Sequence, residues 1–159
     1  MEEIVYYLEM HTPPAYVTTT ADSEYVLEEV KHNQAPFNQF LYSFVGKAWD
    51  WTDRLVWTDQ QWFDLVNDPN LRTWVAYRDG AILGYFELRK DGSNVELLYF
   101  GLSPDFIGKG FGTAFLEDAV RQAWSWDGVE RVWVHTCNFD HPAALDNYKR
   151  RGFGHYKTV

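Results

Sequence analysis

Residues 94–124 read NVELLYFGLSPDFIGKGFGTAFLEDAVRQAW. From Asn94 to Leu102 the run is apolar, with Val95, Leu97 and Tyr99 on one face of a strand and Leu98, Phe100 and Leu102 on the other. Such a strand is buried on both sides, and only Glu96 breaks the pattern. Gly108, Gly110 and Gly112 follow in a short loop. Phe111, Ala114, Phe115, Ala119, Val120 and Ala123 then give one continuous apolar face to a helix that begins inside the glycine run. A strand, a glycine loop and a helix start together make an anion site. The first N–H groups of a helix are unpaired and carry the positive end of the macrodipole. Glycines let several such donors converge on one phosphate, and Lys109 adds a mobile positive charge beside them.

Two common phosphate loops do not fit. The dinucleotide fingerprint G-x-G-x-x-G needs glycine where Thr113 or Phe115 stands, and the triphosphate loop needs Ser or Thr where Gly110 follows Lys109. The stretch Leu102-Ser103-Pro104 with Ile107-Gly108-Lys109-Gly110-Phe111-Gly112 instead resembles the acyl-CoA motif of the GNAT N-acyltransferase superfamily, [RQ]-x-x-G-x-[GA] after a strand ending V-x-P. Ile107 departs from the usual Arg or Gln, a position that contributes mainly its backbone N–H in that family. A second block, Tyr148-Lys149-Arg150-Arg151-Gly152-Phe153, resembles the family's terminal Y-x-x-x-G-F, with Ala144 one helical turn before the tyrosine and His141 where many members have Asn. The resemblance spans about Leu71 to Phe153. It implies acetyl-CoA as cosubstrate, held by Phe100, Gly101, Leu102, Ile107, Gly108, Lys109, Gly110, Phe111, Gly112 and Thr113. Asn138, just past a strand, is a polar contact for the pantetheine arm on this reading and a simple turn residue otherwise.

Working outward, Leu71–Arg78, Ala81–Arg89 and Asn94–Leu102 read as an antiparallel meander turned at Asp79-Gly80 and Asp91-Gly92. Beyond the long helix, stopped by Asp127-Gly128, come a strand at Arg131–Thr136, a helix at His141–Arg151 ended by Gly152, and a last strand at Phe153–Lys157. Upstream, Ile4–Met10 reads as a strand and Ser23–His32 as a helix carrying Tyr25, Val26 and Val30. Phe37–Val45 reads as a helix with Phe37, Phe40, Leu41 and Phe44 on one side. The order implies one α+β domain over residues 1–159, with a mixed, mainly antiparallel central sheet and helices on both faces. That is also the GNAT order.

Between Trp49 and Trp62 (WDWTDRLVWTDQQW), four tryptophans alternate with Asp50, Asp53, Arg54 and Asp59. Thr58 and Gln61 match a capping box, so a helix starts at Asp59 and carries Trp62, Phe63 and Val66 toward the core. The tryptophans either pack this helix onto the sheet, or Trp49, Trp51, Arg54 and Trp57 line an acceptor site whose aspartates attract a cation. The GNAT resemblance favours the second, since this region commonly covers the acceptor site there.

The formal net charge of −9 over 159 residues argues against nucleic acid or an anionic membrane as partner and suits a cationic one. A single cysteine, Cys137, forms no internal disulfide. No apolar run reaches the length of a membrane helix, and Glu2 and Glu3 stand where a signal peptide has basic residues, so the cytoplasm is the default location. No metal is expected, because His135, Cys137 and His141 supply three groups with no partner motif. The sequence names neither the acceptor nor the oligomeric state, a homodimer included.

The implied chemistry is acetyl transfer from a thioester to a primary amine, by direct transfer in a ternary complex. An alkylammonium must lose a proton before it attacks. Glu96 stands where the family often places its base, and a carboxylate on an apolar strand face should have a raised pKa; it acts directly or through water, or it is a Glu at a sheet opening, solvated or paired with an Arg such as Arg72 or Arg89. Tyr148 resembles the family's general acid for the departing thiolate, or it packs in the core with its hydroxyl bonded to backbone. A backbone N–H near Phe100 or Leu102 would hold the carbonyl oxygen. A CoA-binding module without catalysis and an interaction protein with an aromatic surface are the alternatives.

Overall fold

A computed structural model describes residues 2–19 and 24–159. Seven strands, β1 (Val5–Met10), β2 (Val26–Glu29), β3 (Leu71–Arg78), β4 (Ala81–Asp91), β5 (Asn94–Leu102), β6 (Arg131–Cys137) and β7 (Gly154–Thr158), form one sheet ordered β2-β3-β4-β5-β6-β1-β7. Only β5 and β6 run parallel. The long helix α3 (Gly112–Ser125) and the short α4 (Ala144–Arg150) pack on one face, over Leu83, Phe86, Leu88, Val95, Leu97, Val132 and Val134. Helices α1 (Ala35–Gly46) and α2 (Asp59–Val66) cover the other, where Leu41 and Val45 meet Val75 and Tyr85. This is the α+β architecture the sequence implied. No helix among the described residues is long and apolar enough to cross a membrane.

Two irregularities in β5 shape everything functional. Glu87 lies opposite Tyr99 and Leu88 opposite Leu97, so Leu98 has no opposite residue and forms a bulge. A bulge reverses alternation. Val95 and Leu97 before it and Phe100 and Leu102 after it all face the α3 core, while Tyr99 faces α1. Glu96 therefore does not share a face with Phe100 and Leu102, as strict alternation had it. The second irregularity is that pairing of β5 with β6 ends at Leu97–Val134, although β5 runs on to Leu102 and β6 to Cys137. The two strands part and leave a wedge in the middle of the sheet.

Several expectations on the α1–α2 side need correction. Ser23–His32 is not a helix: Ser23 lies outside the described residues, and Val26–Glu29 pairs with Tyr77–Trp74 as an edge strand. The open edge of β3 offers backbone partners that outweigh a weak helical spacing. In α1 the buried side is Asn38, Leu41, Tyr42 and Val45, and Phe40 and Phe44 stack on each other in solvent. Burial of polar Asn38 is offset by its bond to the Thr73 hydroxyl at 2.9 Å. The capping box of α2 forms as read, with Thr58 and Gln61 each accepting from the other's backbone N–H. Trp62 and Val66 are buried, whereas Phe63 is exposed.

Candidate active site

A cavity of about 890 Å³ fills the wedge, walled by β5 beyond its bulge, the end of β6, the glycine loop, α4 and the tryptophan segment. At its loop end, Gly108 and Gly110 hold φ of +75° and +89°. A Cβ on either would meet nothing within 4 Å, so glycine is needed there for conformation and a side chain would project into open space. The N–H groups of Gly108 through Ala114 donate no hydrogen bond among the described residues; the first to do so is Phe115, to the Phe111 carbonyl at 3.0 Å. Phe111 at the N-cap offers no side-chain cap. Seven consecutive donors thus stand free at the positive end of a 14-residue helix.

Of the eleven residues assigned to acetyl-CoA, Phe100, Gly101, Leu102, Ile107, Gly108, Gly110, Gly112 and Thr113 line the cavity. Three do not. Lys109 is exposed and does not wall it, Phe111 packs edge-on against Tyr25 and Phe106, and Asn138 is engaged with the N-terminal segment. The Asn138 amide oxygen accepts from the Ile4 N–H at 2.8 Å and its nitrogen donates to the Glu2 carbonyl at 3.1 Å. The Ile107 N–H reaches only the Pro104 carbonyl, at 3.4 Å. Arg150, on α4, lines the cavity without an ion pair among the described residues. It offers the positive charge that sequence reading had given to Lys109.

Deeper in, Tyr148 is buried, its ring edge-on to Phe100 and Phe153. It lines the cavity, and no described residue hydrogen-bonds its hydroxyl. Burial, with a smaller contribution from the nearby Asp140 carboxylate, pushes its pKa far above that of a free phenol. Glu96 is placed differently. It lines a smaller trench on the α1–α2 side of the sheet with Tyr7, Arg89, Arg131 and Trp133, and is absent from the wall of the large cavity. Its carboxylate pairs with neither Arg72 nor Arg89; it lies 3.4 Å from His135 Nδ1. His135 does line the large cavity. The Glu96 carboxylate raises the His135 pKa above the ordinary imidazole range, against an opposing effect of partial burial. Among the described residues, no group of three or more His, Cys, Asp or Glu is placed to hold a metal ion.

Trp49, Trp51, Arg54 and Trp57 all line the cavity. Trp49 meets His141 edge-on at 4.9 Å, and Trp51 covers Gly101 and packs on Tyr99. Arg54 is buried against Glu87 on β4, so its charge is neutralised, and the open carboxylates on this wall are Asp50 and Asp53. Sequence reading passed over Glu87, although a carboxylate in the apolar run Tyr85-Phe86-Glu87-Leu88 carries the same signal that drew attention to Glu96. His135 drew attention there only as a metal ligand.

The acetyltransferase (GNAT) family model matches residues 27–153. Among solved structures, a GCN5-related N-acetyltransferase from Kribbella flavida superposes with a TM-score of 0.66 at 17% identity, over 98% of this chain and 55% of its own. An aminoglycoside acetyltransferase from an uncultured soil metagenomic sample, in complex with trehalose, gives 0.66 at 18% identity over 82% of this chain and 89% of its own. The ribosomal-protein-S18-alanine N-acetyltransferase of Escherichia coli gives 0.64 at 14% identity over 84% and 79%. At these identities the likeness is one of fold, and the chain spans just over half of the Kribbella protein.

Proposed function

Because the chain belongs to the GNAT acetyltransferase family, we propose that it is an N-acetyltransferase that moves an acetyl group from acetyl-CoA to a primary amine on a small cationic molecule, by direct transfer in a ternary complex. The observation that carries this reading is the run of unpaired N–H groups from Gly108 to Ala114, of which Gly108, Gly110, Gly112 and Thr113 wall a cavity that also holds the Tyr148 phenol and the His135 imidazole, with the Glu96 carboxylate behind that ring. Fixed N–H donors suit the pyrophosphate of CoA, and Arg150 adds charge beside them. The free edge of β5 beyond Leu97 presents backbone groups to the amides of the pantetheine arm, as an added strand would use them. An N–H of the same edge near Phe100 or Leu102 can hold the thioester oxygen as charge develops on it.

The proton inventory then fits the residues present. An ammonium acceptor must give up one proton to attack, and Glu96 supplies the basic carboxylate of the site, directly or through an intermediary. The leaving thiolate takes a proton from Tyr148, whose hydroxyl faces the cavity without a competing partner. Asp50 and Asp53 beside the tryptophans favour a cationic acceptor. An aminoglycoside is a small polyamine of that kind, and the soil enzyme is named for acting on one.

The test is release of CoA thiol from acetyl-CoA across a panel of diamines, amino sugars, amino acids and peptides with a free N-terminus. Turnover with at least one polyamine is expected. Binding of acetyl-CoA without turnover on any amine would reduce the protein to a CoA-binding module, and no binding would remove both readings.

A further inference from the structure

Glu96 does not wall the large cavity, whereas its neighbour His135 does. Its carboxylate opens on the trench, it is 15% exposed, and the contact that links it to the cavity is His135 Nδ1 at 3.4 Å. His135 is 44% exposed and stands on the cavity wall past the last β5–β6 pair, Leu97–Val134, where the strands have begun to part. The Leu98 bulge is what separates the roles. It sends Tyr99 to the α1 side and Phe100 to the α3 side, leaving Glu96 one step short of the wedge.

We propose that His135 is the group that takes the proton from the acceptor's ammonium, through Nε2, and that Glu96 is a positioning residue that holds Nδ1–H. This deepens the acetyltransferase reading and rests on it. In the working state Nδ1–H donates to the Glu96 carboxylate, which fixes the tautomer and leaves the Nε2 lone pair free; no described residue bonds Nε2. His135 Nε2 accepts one proton from R–NH3⁺. The nitrogen lone pair then forms the C–N bond, and the C–S bond breaks with its electron pair on sulfur. The thiolate takes the Tyr148 proton, and the second proton lost by the nitrogen restores the phenol through water. The proton held on His135 passes to solvent, so one proton is released per amide formed.

The surroundings favour this use of the ring. The charges that raise the basicity of His135 are the carboxylates of Glu96 on β5, first, then Asp140 in the β6–α4 loop and Asp53 in the tryptophan segment, while the Lys157 ammonium lies beyond the Tyr7 ring, 5.0 Å from its centroid. The Tyr7 ring lies 5.6 Å away on β1 and Trp133 6.1 Å away on β6 itself. An imidazole so surrounded is more basic than a free one, which brings it closer to an alkylammonium and eases the transfer.

Two measurements test the role. Proton NMR titration of the free protein should give a His135 pKa above the free imidazole value, falling in Glu96→Gln. In steady state His135→Gln should lose ~10²-fold or more in kcat with the acetyl-CoA KM within about twofold. Glu96→Gln should lose less and move the acid limb of kcat/KM to lower pH, because the carboxylate that raises the imidazole has gone. Added imidazole should restore part of the turnover of His135→Ala. His135→Gln turning over like wild type, or Glu96→Gln losing the acid limb altogether, would overturn the assignment and make Glu96 the direct base or His135 a bystander. A wild-type protein that releases no CoA with any amine overturns instead the acetyltransferase reading on which it rests.

Discussion

One guanidinium nitrogen of Arg54 donates to both carboxylate oxygens of Glu87, at 2.8 and 3.0 Å, with both side chains buried. Four rings enclose the guanidinium: Tyr99 at 4.4 Å, Trp57 at 4.8 Å, Trp62 at 5.5 Å and Tyr42 at 5.7 Å to their centroids. The pair fastens the tryptophan segment to β4. Removing one partner strands the other charge, so Glu87→Gln and Arg54→Met should each cost about 3–5 kcal/mol. The double replacement Arg54→Met with Glu87→Leu should cost less than either single change. Urea unfolding of the four proteins measures this, and additive single and double effects would show that the pair is not coupled.

Much of this was legible and some was not, for physical reasons. Strands β3, β4 and β5 and the start of α2 follow from turn residues and a capping box, signals that act within a few residues. Edge strand β2 depends on a partner some 50 residues away, and the buried side of α1 depends on Thr73 satisfying Asn38. The Leu98 bulge leaves no mark in an apolar run, so the sequence drew attention to Glu96 but not to its standing behind His135.

The glycine loop should bind and be stabilised by acetyl-CoA. At ~100 times its dissociation constant the ligand adds roughly 2.7 kcal/mol, read as a rise in Tm. Gly110→Val should abolish that rise. The substitution forces a β-branched residue into φ of +89° and points its side chain into the open space above the donors. An unaltered ligand-induced rise in the variant would place the phosphates elsewhere.

Tyr25, Tyr85 and Tyr148 are all buried, and burial is the main cause that raises the pKa of each well above 10. The native state therefore withholds ionisations that the unfolded chain allows. Stability should be full below pH 10 and fall as the pH climbs above it, by about 1.4 kcal/mol per pH unit for each such tyrosine. Denaturant midpoints between pH 9 and 11.5, with phenolate absorbance, check this. If all 10 tyrosines of the chain ionise near pH 10 while it stays folded, the prediction fails.

Asp50 and Asp53 on the cavity wall, with Arg54 neutralised by Glu87, should make acceptor affinity depend on charge. Added salt should raise the acceptor KM more than the kcat, as screening weakens attraction between exposed groups. Asp53→Asn should do the same at low salt. Neutral amines that turn over as well as diamines, with no salt effect, would leave the aspartates without this role.

Tyr148→Phe separates the catalytic from the structural reading of that residue. The change keeps the ring against Phe100 and Phe153 and removes only the hydroxyl. Among the described residues that hydroxyl has no hydrogen bond to lose, so the variant should melt within a few degrees of wild type, or slightly above it. Acetyl-CoA affinity should hold for the same reason. Turnover should fall by ~10-fold to ~10³-fold, because a thiolate is a tolerable leaving group and losing its proton donor costs less than losing the base. Because burial keeps Tyr148 protonated well past pH 10, wild-type turnover should show no alkaline decline from this residue at lower pH. A loss of turnover with Tm and acetyl-CoA affinity intact assigns the hydroxyl to the departing sulfur. Full turnover in the variant would leave Tyr148 as a packing residue and require another donor on the cavity wall.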